Sequence, residues 1–410
     1  MPNLAINGGD KVFSDPLKME WPIFGEEEEK RILDVLHSGK WWRGAYSEAE
    51  ASQVGTFENA FSDYHNAKHG TAVANGTVAL ECALRALDLE PGDEVLVPAL
   101  TFVASATAIA YMGFIPKFVD IDPETYNISP AAMEAAISDR TKAAIVVHNG
   151  GYPVDFDSIL EIARNRGIKV IEDCAHAHGS AWKGTRVGAL GDAGTFSFQM
   201  GKTLTCGEGG IILTNDDDLA EKIFSIQHIG RIPGRPFYEF HRIGTNLRMT
   251  EWQGAMLNSQ FARFDEQIRR REQNATHLAR MMSEVDGVRP IARDERVTQW
   301  GFYYWNFHYD QDKLQGLPKE KFLKAANAEG LPIGNGAHGG PIYGNPVFQN
   351  MKTLAGQPVD FTGVCCEEAE RVSRDQSLSL THRAFLGDES DMERVAAVFD
   401  KIQANVSELL

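Results

Sequence analysis

The chain has 410 residues, 43% hydrophobic and 24% charged, the make-up of a soluble globular protein too long for one simple core. Forty Lys and Arg stand against 57 Asp and Glu, and the net charge of −17 disfavours nucleic acid and anionic membranes as partners while leaving room for a phosphate site built from backbone amides. Five cysteines form no C-x-x-C pair, no apolar run reaches transmembrane length and the first 22 residues lack a signal-peptide core, so a reducing cytoplasm is expected.

Glu26 to Leu36 opens with four glutamates and continues with helical spacing at Ile32, Val35 and Leu36; the acidic run suits the first turn of a helix. Gly39 to Gly44, G-K-W-W-R-G, reads as a loop. Its large flat groups, Trp42 and Arg43 among them, either pack under the loop or contact a substrate. From about residue 70, strands and helices alternate. Strands are expected over 71–74, 94–97, 116–120, 142–148 and 168–173, and helices over 76–87, 103–112, 130–137 and 157–166. Largely apolar strands between helices predict a mostly parallel sheet covered on both faces.

Thr195 to Gly210, T-F-S-F-Q-M-G-K-T-L-T-C-G-E-G-G, leaves a short buried strand, turns through Gly201 and returns to a strand over 211–214. It carries one lysine, Lys202. A lysine on a rigid, partly apolar turn can have a lowered pKa and attack carbonyls; taken alone, the stretch reads equally well as a loop with a surface lysine. A helix over 216–227 and long helical spacing over 250–282 come next. Beyond them lie a strand near 303–309, a helix over 318–330, a Gly- and Pro-rich loop at 334–346 and a closing helix after Asp391. The expected domains are 1–255, a large unit with an N-terminal arm, and 256–410, a smaller one.

Three pieces are spaced as a cofactor site needs them. Asn75-Gly76-Thr77 lies between a strand and a helix, where free amides make a phosphate cradle. Asp173 ends an apolar strand, at the sheet edge where ligands gather, and can pair with a ring nitrogen or serve as an N-cap for the next turn of chain. Lys202 is the third. Together they read as pyridoxal phosphate chemistry, with no metal.

Five motifs carry a specific likeness: N-G-T-V-A-L at Asn75, P-A-L-T-F-V-A-S at Pro98, E-D-C-A-H-A-H-G at Glu172, S-F-Q-M-G-K-T-L-T-C-G-E-G-G at Ser197 and G-T-N-L-R-M-T-E-W-Q-G-A at Gly244. With them the chain resembles the DegT/DnrJ/EryC1/StrS family of sugar and cyclitol aminotransferases, from Gly39 to about His382. The resemblance implies the fold-type I architecture of pyridoxal phosphate enzymes, an α/β fold with a mostly parallel central sheet and a smaller C-terminal α+β domain. It makes Lys202 the lysine that holds pyridoxal 5′-phosphate covalently and Asp173 the partner of the pyridine nitrogen. Phe102 takes the place of the aromatic stacked on the ring. Gly76, Thr77 and Ser197 bind the phosphate, and His176 lies near the ring hydroxyl. Asn246 resembles the asparagine that reaches the phosphate from the neighbouring subunit, which implies a homodimer with a shared site.

The implied reaction is transamination of a keto-sugar or keto-cyclitol with glutamate or glutamine as donor, in the biosynthesis of an amino sugar, aminocyclitol or related metabolite such as an antibiotic. Gln199-Met200-Gly201 stands where sugar branches carry a histidine and a proline, and resembles the inosose aminotransferases and the 3-amino-5-hydroxybenzoate synthases. The acceptor stays open, with His148, Tyr152, Arg231, His338 and His382 as polar groups suited to a hydroxylated ring. The alternatives are the aromatising synthase activity and a non-catalytic sensor; the latter calls for a lost lysine or aspartate or an attached DNA-binding domain, and the family's deoxygenating dehydratases carry histidine for the lysine, whereas Lys202 and Asp173 are present.

Overall fold

The structure, a computed structural model, describes residues 3–410. Its centre is a seven-stranded sheet ordered His69–Val73, Gly210–Thr214, Ala193–Ser197, Lys169–Asp173, Thr141–Val147, Glu94–Pro98 and Ile115–Val119. All neighbours are parallel except Gly210–Thr214, which runs against both of its own. Every residue of Glu94–Pro98, Ala193–Ser197 and Gly210–Thr214 is buried, so both faces are covered. The mostly parallel sheet read from the sequence is therefore present, with the expected strands within one or two residues of their places.

The helical spacing over 250–282 resolves into two helices, Glu251–Ala262 and Phe264–Met281. The break is at Arg263, whose backbone leaves the helical region at φ −108°, ψ 5°. Its guanidinium donates to Ile23 O and to the Glu28 carboxylate, tying the break to the N-terminal arm. The boundary at 255/256 falls inside the first of these helices, which packs on Glu26–Ser38 and Gln53–Tyr64. A division of the chain is better proposed at Arg263.

The C-terminal part holds an antiparallel sheet of Val288–Pro290, Tyr304–Tyr309 and Ser377–Thr381. Helices Lys319–Ala328 and Glu389–Ala404 lie against it, with Phe322 and Phe399 stacked 6.0 Å apart and Phe307 5.8 Å from Phe399. One short strand, Val297–Gln299, pairs back with Ala181–Trp182. This link brings Tyr303 and Tyr304 to the C-terminal edge of the large sheet.

Candidate active site

The site grows from three sheet-edge turns. After His69–Val73 the chain turns at Asn75, whose Oδ1 accepts the Val78 N–H at 3.0 Å and caps helix Gly76–Ala86. No described residue accepts from the Gly76 and Thr77 N–H groups, so the helix start presents free donors and the positive end of its dipole. Ser197, ending its strand, closes the cradle. A Cβ on Gly76 would sit 2.6 Å from the Ser197 Cβ, so only glycine permits this approach.

Strand Lys169–Asp173 ends in two carboxylates on opposite faces. Glu172 is wholly buried and accepts N–H bonds from Gly188, Leu190 and Gly191 at 2.6, 2.8 and 2.7 Å. Asp173 faces the cavity. Its carboxylate accepts from Ser105 Oγ at 2.8 Å and from the Ala175 N–H at 3.1 Å, which fixes its orientation.

Lys202 stands on the excursion between the antiparallel strands Ala193–Ser197 and Gly210–Thr214, as expected. Phe198 N–H donates to Gly209 O at 2.7 Å and Met200 N–H to Gly207 O at 2.8 Å, so the two sides of the turn are laced together. Outside the turn, Trp21 Nε1 donates to Met200 O at 2.9 Å, and His178 and His382 place Nε2 at 2.8 and 3.0 Å from Ser197 O and Gly201 O. Burial pushes the Lys202 amine down to about 8, against the opposing pull of the Asp173 carboxylate.

A cavity of about 750 Å³ brings together Gly76, Thr77, Phe102, Asp173, His176, Ser197, Lys202 and His338. Phe102 is 56% exposed, an open aromatic face at the mouth. His176 is buried between the rings of Tyr303 (4.8 Å) and His338 (5.1 Å). Burial first, then the charge of Lys202, keeps both imidazoles neutral: His338 titrates near 4, and His176 lies well below its ordinary value.

The other expected residues lie elsewhere. His148 does not face the cavity: it is fully buried, with Nε2 3.3 Å from Glu172 and Nδ1 accepting the Val154 N–H. Tyr152 is also sealed, its hydroxyl donating to Ala292 O and accepting from the Asp294 N–H, because the turn after strand Thr141–Val147 folds inward. His382 is buried behind the lysine turn. Trp42 and Arg43 line a separate small crevice with Glu58, His228 and Arg248, where Arg43 pairs with Glu58 at 2.8 Å. Arg231 donates to Phe237 O and lies over the Phe237 and Phe240 rings. Asn246 is exposed, its Oδ1 3.4 Å from the Arg248 N–H, and does not line the cavity of its own chain. Residues the sequence pattern gave no role also line the cavity: Gln199, Glu208, Tyr303 and Tyr304. The hydroxyl of Ser105, within the motif at Pro98, was a legible signal; the tyrosines carried none.

A model of the DegT/DnrJ/EryC1/StrS aminotransferase family matches residues 22–400. The L-glutamine:2-deoxy-scyllo-inosose aminotransferase of Streptomyces fradiae is 34% identical over 99% of each chain. The 3-amino-5-hydroxybenzoate synthase of Amycolatopsis mediterranei is 35% identical over 92% of this chain and 95% of its own. A crystal structure of 3-amino-5-hydroxybenzoic acid synthase superposes with a TM-score of 0.85 at 33% identity, covering 96% of this chain and 99% of the other. The architecture is that of the fold-type I pyridoxal phosphate enzymes.

Proposed function

The chain belongs to the DegT/DnrJ/EryC1/StrS aminotransferase family and uses pyridoxal 5′-phosphate, and on that premise we propose that it transfers an amino group from glutamine or glutamate to a keto-cyclitol or keto-sugar. One observation carries the reading: a depressed lysine, a fixed carboxylate and a free helix start converge on one cavity.

The residues present fit the cofactor. Gly76 and Thr77 N–H groups and Ser197 Oγ would take the phosphate, and Phe102 would cover one face of the ring. Asp173, held by Ser105 and Ala175, would keep a proton on the pyridine nitrogen through a charge-assisted hydrogen bond. Lys202 Nζ would form the covalent link. When bound, the cofactor supplies an electron sink for the donor carbon. Lys202 Nζ, as a neutral amine, would take the proton from that carbon and later give one back. A value near 8 leaves part of the population neutral at physiological pH, so the lysine can act in either direction. Neutral His176 and His338 can donate or accept hydrogen bonds without opposing the lysine's charge.

The likeness to inosose aminotransferases supports a cyclitol acceptor and glutamine as donor. The likeness to the hydroxybenzoate synthases favours a second reading, aromatisation of a keto-cyclitol-like ring by loss of water. A homodimer in the cytoplasm is part of the proposal. No described helix is long and apolar enough to cross a membrane, and the chain has no cysteine framework of a secreted domain. Enzyme loaded with the amino form of the cofactor, offered a panel of keto-cyclitols and keto-sugars, should recover the absorbance of the lysine-bound form with one class. Recovery with none sinks the proposal, and an ultraviolet-absorbing aromatic product selects the second reading.

A further inference from the structure

Tyr303 is half-buried at the cavity, against the buried rings of His176 and His382. Its backbone is fixed on both sides: its N–H donates to Gly150 O at 3.1 Å, and its carbonyl accepts the His382 N–H at 3.0 Å. Its ring stacks on His176 at 4.8 Å with 20° between planes, and on His382 at 5.8 Å with 29°. His382 is itself braced edge-on by Trp21 at 4.8 Å. The hydroxyl reaches across the lysine turn, where a Cβ on Gly201 would come within 3.0 Å of it. Lys202 Nζ then lies 4.4 Å from the centroid of this ring.

A ring locked by two imidazoles cannot swing away, so the contact is a built feature of the turn. An ammonium this close to an aromatic ring is attracted by the ring quadrupole. We propose that the Tyr303 ring is the seat of the Lys202 ammonium, holding the lysine against the turn whenever it carries a proton and thereby setting its basicity. The inference rests on Lys202 being the lysine that holds the cofactor. In the reaction Lys202 would accept one proton and later give one up, so it carries an ammonium charge between the two transfers. The seat stabilises that charged state without bonding to it, and it holds Nζ close to where it must act again. The other titratable groups that bear on Nζ or line its cavity are Asp173, Glu208, His176, His178, His338 and Tyr304, whose phenol burial pushes up and keeps neutral. Only Asp173 and Glu208 can bring negative charge to it.

The test uses the cofactor-free protein, whose Lys202 peptide is followed by mass spectrometry during reductive methylation at a series of pH values. The midpoint of the pH–rate curve reports the basicity of Lys202. Tyr303→Phe, which keeps the ring, should match the parent within a few tenths of a unit, and Tyr303→Leu should fall by roughly one unit. Pentafluorophenylalanine at 303 keeps the shape and reverses the quadrupole, so it should fall at least as far even if the leucine protein folds poorly. The same midpoint for the phenylalanine and fluorinated proteins overturns the proposal. So does a fall in Tyr303→Phe as large as that in Tyr303→Leu, which would assign the effect to the hydroxyl. Borohydride fixation of the cofactor-loaded enzyme tests the covalent role of Lys202 separately.

Discussion

Lys202 owes its chemistry to burial, and burial has a cost that can be measured. Its amine is held near 8 in the folded chain against 10.5 when free. Below pH 8 folded and unfolded chains both carry the proton, and the folded state bears the full penalty. Between 8 and 10.5 only the unfolded chain keeps it, so stability rises with pH through that window. Cofactor-free Lys202→Met should therefore be more stable than the parent at pH 7, by about 1–2 kcal/mol in urea unfolding, and the gain should shrink towards pH 10. An equal gain at both pH values would contradict the buried ammonium. Asp173 is held by a donor from another segment, 68 residues away. Ser105→Ala should lower kcat/KM by about tenfold to a hundredfold, the worth of one hydrogen bond to a charged group, and Asp173→Asn by more. Activity near the parent's in both would remove the carboxylate from the mechanism. Gly76, Asp173 and Lys202 were legible because a strand end, a glycine and an isolated lysine are local signals. Tyr303 was not, because it meets groups that only the fold brings near; Ser105 was legible as part of a motif, but its bond to the Asp173 carboxylate was not. His148 and Tyr152 misled for the converse reason: polar type says nothing about which way a turn folds.

Among elements, long periodic helices and apolar strands declared themselves, whereas short pieces did not. Ala181–Trp182 and Val297–Gln299 hold two and three residues, too few for any alternation to show. Helix Gln53–Tyr64 is outside the sequence-based expectation although Val54, Phe57 and Phe61 have helical spacing, because Gly55 and six polar residues dilute the pattern. Its start is secured from a distant element. Glu251, wholly buried at the head of its own helix, accepts from Ser52 Oγ at 2.6 Å and from the Gln53 N–H at 2.7 Å. Glu251→Ala would orphan these buried donors, and we expect a loss of about 2–4 kcal/mol in equilibrium unfolding. A loss under about 0.5 kcal/mol would show that water replaces the carboxylate.

At the scale of the whole molecule, the segment after His228 carries large apolar side chains on its surface. Phe237, Tyr238, Phe240 and Ile243 are 53%, 84%, 51% and 82% exposed, close to Asn246. We read this arm as the part that reaches a second subunit. Lys202→Ala and Asn246→Asp, each inactive alone, should complement each other in co-expressed, doubly tagged heterodimers, since one site then carries both lesions and the other neither. No recovery in verified heterodimers, or a fully active monomer in sedimentation, would reject the shared site. The sheet has a consequence of another kind, for the order in which the molecule is made. Among the described strands His69–Val73 has one sheet neighbour, Gly210–Thr214, about 140 residues further along, and its end bridges Arg248, later still. At ribosomal speeds of roughly 5–20 residues per second, that edge waits about 7 to 30 s for its partner. Throughout that interval the nascent chain carries an unmatched strand, so its yield in a cell should depend on chaperones that shield the growing chain.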